Sequence, residues 1–371
     1  MGSLVFAPDG RRLLYTLASD AQRTGGYVLD LASGEPVAKF TGYDTPVYGG
    51  ALSPDGKLAA TTGRSANEIS LWRTHTGALV QRMAGRGRSV VSCGWSPDGK
   101  TIAWGNTLKP TAFNDYGPLE RAFQLADLQL IPLPTVPFSR ARPSRDGASL
   151  QRTGEYRIVF NEPGQPPRPL GLGQRERVLC STLLPNRRAV VGSSYGLFLF
   201  DTGTGQQLGE FRGHAGYVSA VAPSPDDRYL LSASFDQTLR VWDPRRRMPL
   251  LSIFFVASEW VAWTPEGYYA ASPGGERLMG WQINHGWEQM ASFYPAVRFR
   301  KSLYRPDVIK LVLQQGGTEQ ALAAANLASG RTGDPTDVSQ VLPPTVEIAS
   351  PTEARLDVTQ PRIEIRAVAT P

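Results

Sequence analysis

The sequence predicts an all-β fold over residues 1–286: a β-propeller, seven small four-stranded sheets set around a ring. Three observations predict it. A Pro-Asp-Gly-type turn recurs at near-constant spacing, a valine stands seven residues before the turn proline in four of the units, and a large residue closes the third strand in five. Composition is compatible. The chain has 371 residues and 41% hydrophobic content, enough to bury a core, and its 38 glycines and 30 prolines fit many turns between short strands.

The turn appears as APDG at 7–10, SPDG at 53–56 and 96–99, LPNR at 184–187, SPDD at 224–227 and TPEG at 264–267. Proline presets φ, aspartate bonds its own backbone, and glycine accepts a positive φ, so the tetrapeptide is turn chemistry with a mechanism. The prolines are spaced by 46, 43, 88, 40 and 40 residues. The 88 is two periods, which places a hidden unit between Pro97 and Pro185 with its turn at Arg145-Asp146-Gly147. The valines are Val47, Val90, Val178 and Val218; the third-strand residues are Leu29, Trp72, Phe200, Trp242 and Trp281. A glycine turn follows at 30–34, 73–77 and 201–205. Each unit therefore reads as four antiparallel strands in about 40–45 residues. Expected unit limits are 1–43, 44–86, 87–132, 133–174, 175–214, 215–254 and 255–286.

Unit six carries the most complete set of marks: Gly213-His214, Ser232-Ala233-Ser234, Asp236 and Trp242-Asp243. These resemble the WD40 repeat. The resemblance implies that His214, Ser232 or Ser234, Asp236 and Trp242 form a buried hydrogen-bonded network, with His214 structural. The other units lack the Gly-His pair. Closure of the ring is an open question, because Met1-Gly2-Ser3 runs directly into the first strand. Either Phe293–Phe299 or sequence upstream of Met1 is expected to supply a missing strand.

Residues 287–329 read as a connector. Its first part is aromatic and basic, and Pro306-Asp307 then opens a helical pattern that Gly316-Gly317 divides in two. Residues 330–343 are a Gly, Thr, Asp, Ser and Pro linker. In 344–371, TVEIASP and RIEIRAVA alternate with period two, placing Val346, Ile348, Ile363 and Ile365 on one face, as in the first strands of an immunoglobulin-like sandwich. Two strands do not make a sandwich, so the chain reads as part of a longer protein. The run from Trp260 to Gly286 with FYPAVRFRKSLYRPDVIKLVL resembles the junction of bacterial proteins that fuse a WD40 propeller to a C-terminal caspase-like cysteine peptidase. The resemblance covers 255–315. It implies a peptidase domain downstream, whose catalytic residues have no counterpart here.

Chemistry within the chain is sparse. The histidines are His75, His214 and His285, and no HExxH, GxSxG or phosphate-binding loop is present. Gly171-Leu172-Gly173 is a lone glycine pair. Cys93 and Cys180 lack metal or redox spacing and read as buried apolar residues. No catalytic residue, metal site or cofactor is nominated. No apolar run is long enough for a membrane span and no signal peptide is visible, so a cytoplasmic location is expected.

Binding is the expected function: a scaffold or sensor module for a protein or peptide on the propeller's top face, with a downstream domain in cis as second partner. By WD40 register the rim positions are Tyr217, Ser219 and Phe235 in unit six, Pro46 and Tyr48 in unit two, Arg177 in unit five and Glu259 in unit seven. Aromatic and arginine side chains on a rigid rim have the character of interface hot spots, although Tyr217 and Phe235 equally suit packing between units. Two alternatives remain. Net charge is +6 and only six of the 39 basic residues are lysine. The clusters Arg86-Gly87-Arg88, Arg245–Arg247 and Arg298, Arg300, Lys301, Arg305 would serve nucleic-acid binding, while the simpler readings are an arginine bias of genome composition, a solvated turn at 245–247 and a 298–305 run that pins the connector. A central-channel enzyme is the other alternative.

Overall fold

A turn built the same way several times organises the chain. In the computed structural model, the Gly56 N–H donates to the Ser53 carbonyl (2.8 Å) and the Ser53 N–H to the Leu58 carbonyl (2.9 Å). Ser53 Oγ donates to Asp55 (2.6 Å) and accepts the Leu58 N–H (2.9 Å). The same circuit joins Ser96, Asp98 and Thr101, and again Ser224, Asp226 and Tyr229. The serine hydroxyls are the main reason the carboxyls of Asp55 and Asp98 lie below the usual range. In the hidden unit, Ser144 pairs with Ser149 and Arg145 with Ala148. This leaves Asp146-Gly147 as a two-residue loop with φ of 51° and 81°, the geometry that a tight hairpin demands.

The structure describes residues 3–17, 25–42, 47, 49–62, 68–83, 85, 87–109, 113–173, 176–194, 196–283, 292–330, 345–350 and 365–370. Among them are five four-stranded antiparallel meanders, numbered here as sheets one (4–40), two (49–83), three (92–131), four (144–169) and five (178–211). Sheet six (218–271) has six strands. Hairpins follow at 280–295 and 345–370. The short helix α1 (Arg300–Leu303) leads into α2 (Pro306–Gln315) and α3 (Thr318–Ser329). Pro306 occupies the first turn of α2, and Gly316 ends it at φ 76° with its N–H on the Val312 carbonyl. This is the proline-start, glycine-stop grammar expected of a short helix.

Sheet six departs from the expected pattern. Its strand Met248–Val256 runs nine residues and pairs along its second half with Glu259–Trp263 through a two-residue connection. That connection is too short to carry the chain into a new sheet. The residues expected to begin a separate seventh sheet therefore extend sheet six outward. Gly280–Ile283 pairs with Ser292–Pro295 instead, so the segment offered as a closing strand for sheet one is spent in its own hairpin.

Packing follows two-sided burial. Every residue of Val178–Leu184, Val218–Pro223 and Leu230–Ser234 is buried, so these strands need cover on both faces. Sheet five covers one face of sheet six through Cys180, Leu184, Val190, Val218, Val221 and Trp242. Sheet three covers the other: Trp95 Nε1 donates to the Ala222 carbonyl (3.1 Å) and Ser219 Oγ to that of Val90 (2.9 Å). Sequential order around a ring would put the seventh unit there. Trp104 and Phe255 stack at 3.8 Å between centroids, and Phe123 packs edge-on against Phe255 and Trp260, so the outward extension of sheet six is itself roofed by sheet three. Sheets one and two share a smaller cluster around Leu14, Val28, Phe40, Ala59 and Trp72.

The connector is docked rather than loose. Ala296, Phe299, Leu303, Val308, Ile309 and Val312 belong to the same cluster as sheets three and six. The Arg305 N–H donates to the Tyr269 carbonyl (2.8 Å). Tyr269 hydroxyl donates to Glu276 (2.7 Å), which also accepts Arg300 Nη1 (3.1 Å). In the last hairpin Val346 pairs with Ala369 and Ile348 with Ala367. The second strand is Arg366–Thr370, later than the alternation predicts. Ile365 precedes it, Ile363 lies outside the described residues, and the two strands alone do not define a sandwich.

Glycine turns separate two costs. Gly99 (φ +66°) has only Pro225 within 4 Å of an added Cβ, whereas at Gly77 (φ +72°) that atom would stand 2.0 Å from the Lys39 carbonyl oxygen. Gly99→Ala should cost about 1 kcal/mol of stability from the left-handed backbone alone. Gly77→Ala should cost at least twice that, as read by urea denaturation of the two variants.

Candidate functional site

The hairpin of sheet six has two ends. At one, the connection after Leu230–Ser234 meets the approach to Val218. Here four polar side chains form a relay. Trp242 Nε1 donates to Ser232 Oγ (2.7 Å), Ser232 Oγ donates to His214 Nε2 (2.7 Å), and His214 Nδ1 donates to Asp236 (2.8 Å). Asp236 also accepts the Ala215 N–H (3.0 Å) and the Thr238 hydroxyl (2.6 Å). Ser234 stands apart from the relay, its Oγ accepting the Asp236 N–H (3.0 Å). The direction of donation requires neutral His214 carrying its proton on Nδ1. Burial lowers its pKa, against the opposing pull of Asp236. The Asp236 carboxyl, despite burial that pushes it up, is drawn well below the usual range by His214 and the Thr238 hydroxyl. His214 has no open side for substrate, with 1% of its side chain exposed.

Sheet two carries a shorter version: Trp72 Nε1 donates directly to Thr61 Oγ1 (3.0 Å). In register, Ala59 faces Trp72 as Leu230 faces Trp242, so Thr61 and Ser232 hold equivalent positions two residues on. The aligned tryptophans, with a hydroxyl residue at matching distance, were the available signal for Thr61.

Beside the relay lies the rim. Tyr217 and Phe235 stack with centroids 5.8 Å apart and planes at 25°, and both are partly exposed. The Phe235 N–H donates to the Tyr217 carbonyl (2.9 Å), fixing the two rings side by side. Arg177 directly precedes the first strand of sheet five, as Tyr217 does in sheet six, and the two strands are neighbours; its exposed guanidinium pairs with Glu155 (3.0 Å). Sheet three adds a contribution that local pattern does not show. Ser89 Oγ donates to the Phe235 carbonyl (3.4 Å) across 146 residues, with exposed Arg88 alongside.

One expected rim residue, Ser219, is corrected. Ser219 is 1% exposed and its hydroxyl is spent on the Val90 carbonyl, because sheet three covers that face. Glu259 accepts the Ser272 hydroxyl and the Gly274 N–H, closing a loop of the extended sheet six. Pro46, Tyr48, Arg86 and His285 lie outside the described residues, and His75 is exposed in the turn of sheet two.

Several of the clustered arginines serve the fold. Arg305 is buried on Asp307 (2.8 Å) and Asn326 (2.9 Å). Arg300 pairs with Glu276, Arg246 with Asp243 (3.6 Å), and Arg247 donates to the Leu208 carbonyl (2.5 Å). Burial pushes the Cys93 thiol up to about 12 and Cys180 well above its ordinary value, which suppresses thiolate chemistry. Among the described residues no group of three or more His, Cys, Asp or Glu side chains is placed to hold a metal. No helix among them is long and apolar enough to cross a membrane.

Repeated four-stranded antiparallel sheets with few helices are consistent with an all-β fold of the propeller class. A WD40 repeat is found within it: the model of the WD domain, G-beta repeat, matches residues 205–243. The relatives found are WD-repeat proteins. Mouse WD repeat-containing protein 1 is 41% identical over 61 residues, 16% of this chain and 10% of the relative. Arabidopsis thaliana WD repeat-containing protein 26 homolog is 25% identical over 284 residues, 64% of this chain and 48% of the relative. Nuclear distribution protein PAC1 of Arthroderma benhamiae is 47% identical over 47 residues, 13% and 10% of the two chains. The chain thus spans between about a tenth and about half the length of these relatives.

Removing the relay's hinge should be costly. Ser232→Ala leaves the Trp242 N–H and the His214 acceptor unpaired, and should lose about 1–3 kcal/mol of stability; Thr61→Val in the shorter pair should lose less. His214 also confers a pH dependence. Its folded pKa lies below the ordinary 6.5, so the unfolded chain takes up a proton that the folded chain refuses. Its contribution is intact above pH 6.5 and is lost as pH falls below that value toward the lowered folded pKa. Urea midpoints should decline over that window, and His214→Leu should flatten the decline.

Proposed function

We propose that this chain is a non-catalytic interaction module, a scaffold or sensor, that captures a protein or peptide partner on the rim of sheets five and six. The carrying observation is the stacked, partly exposed Tyr217–Phe235 pair, held by a backbone hydrogen bond, with exposed Arg177 at the start of the neighbouring strand and exposed Arg88 next to Ser89. Rigid aromatic area beside arginine is the composition of binding hot spots, and presenting it preformed reduces the entropy lost on association. The WD-repeat relatives support an interaction role, one of them being named for association with a receptor, the serine-threonine kinase receptor-associated protein of Gallus gallus.

The seven-bladed ring remains the architecture proposed for the whole repeat region, with the first strands of an immunoglobulin-like sandwich beyond it. The resemblance of residues 255–315 to the junction of bacterial propeller–peptidase fusions supports placing this module ahead of a caspase-like cysteine peptidase. In that setting the docked connector relays rim occupancy to the effector, since α2 packs directly on sheet six. The pairing of Arg246, Arg300 and Arg305 within the fold favours this reading over nucleic-acid binding.

Tyr217→Ala with Phe235→Ala should lower capture of proteins retained by the immobilised wild-type chain at least roughly tenfold, the scale of a two-residue hot spot. The thermal midpoint should stay close to wild type. Unchanged capture by a folded variant disposes of the rim assignment. Sequencing the coding frame beyond Pro371 checks the second half of the proposal: a domain with spaced catalytic His and Cys is expected.

A further inference from the structure

At the other end of the same hairpin, away from the rim, sheets five and six leave a cleft of about 600 Å³. It lies between the turn after Val178–Leu184 and the turn after Val218–Pro223, and the turn at Pro244-Arg245 completes it. Three arginines line it, Arg188, Arg228 and Arg245, with Asn186 beside them.

Both carboxylates that line the cleft already accept hydrogen bonds. Asp226 is held by the Ser224 hydroxyl (2.6 Å) and the Arg228 N–H (3.1 Å). Asp227 occupies the position where glycine stands in four of the other turns, at φ 57°. Its two carboxylate oxygens accept Arg142 Nη1 and Arg145 Nη2, each at 2.7 Å. With Asp146, which Arg145 also meets (3.7 Å), five guanidiniums face three carboxylates at this corner, an excess of two positive charges. A smaller cavity of about 180 Å³ adjoins the cleft through Leu184, Pro185, Asn186 and Arg188. It is lined by Arg145, whose Nη1 is buried without a hydrogen-bond partner. Buried donors without acceptors are costly, and here they border a space that admits a small ligand.

We propose that this cleft is a binding site for a phosphate monoester dianion, gripped by Arg188, Arg228 and Arg245 with Asn186 as a neutral donor. A dianion with three terminal oxygens matches the charge excess and the number of forked donors better than a single carboxylate does. The Asp227 clamp has a defined part. By holding Arg142 and Arg145 it ties the approach to sheet four onto sheet six and keeps its own charge from competing for the cleft arginines.

The test is calorimetric titration of the full chain with inorganic phosphate, then with phosphoserine and a phosphoserine-containing peptide. Saturable binding of phosphate and phosphoserine is expected. Arg188→Gln with Arg245→Gln should weaken it at least roughly tenfold, as loss of two charge-assisted donors implies. Arg228→Gln alone should weaken it less and serves if the double variant fails to fold. Arg212→Gln, at an exposed residue on sheet five's outer edge, should have no effect. A peptide that binds more tightly than phosphoserine identifies the source as a phosphoprotein, and equal affinity identifies a small metabolite. Absence of saturable binding, indifference to the cleft substitutions, or displacement by single-stranded RNA at equal affinity per phosphate overturns the proposal. The Tyr217→Ala, Phe235→Ala variant should bind phosphate as wild type does, so the two sites stand or fall separately.

Discussion

Sheet six is buried on both faces, and much of the architecture answers that one constraint. A strand such as Val218–Pro223, with every residue buried, has no stable existence until something apolar covers each side. Sheet five supplies one cover and sheet three the other. The connector helices seal the outer end through Ala296, Phe299, Leu303 and Val308. The polar relay is a second consequence. A tryptophan N–H, a serine hydroxyl and an imidazole enclosed together must satisfy one another, because water is excluded and an unpaired donor costs about 1–3 kcal/mol. His214 is thereby committed to holding register, and the functional burden passes to side chains at the hairpin's two ends.

Those ends differ in chemistry because their connections differ. The rim end presents stacked rings, and the turn end presents arginines around hydrogen-bonded carboxylates. A rigid hairpin with dissimilar ends suits a module that handles more than one kind of ligand. α2 docks on the same sheet.

The turns were legible because their chemistry is local. Pro-Asp-Gly, the serine three residues before the glycine, and the hidden Asp146-Gly147 loop each act within a few residues, so sequence spacing places them. The relay was reached through resemblance to the WD40 repeat, which left Ser232 and Ser234 as alternatives, and it is Ser232 that joins Trp242 to His214. Ser219 was misjudged because exposure is a non-local property. Whether a residue beside a strand end meets solvent depends on which sheet is its neighbour. Ser89, against Phe235 from 146 residues away, was invisible for that same reason.

By itself the sequence determined the repeat, the strand-and-turn content, and the proline start and glycine stop of the connector helices. These depend on backbone preference, alternation of apolar residues and short-range hydrogen bonding. Only the tertiary structure decided the order in which sheets pack, the merging of the expected seventh unit into sheet six, and the gathering of Arg188, Arg228 and Arg245 around one cleft. Sheet-on-sheet packing selects for apolar shape and area, which many sheets of one repeat family share. The pairing is therefore settled by the whole set of competing contacts, and two residues beyond Val256 were enough to redirect a strand.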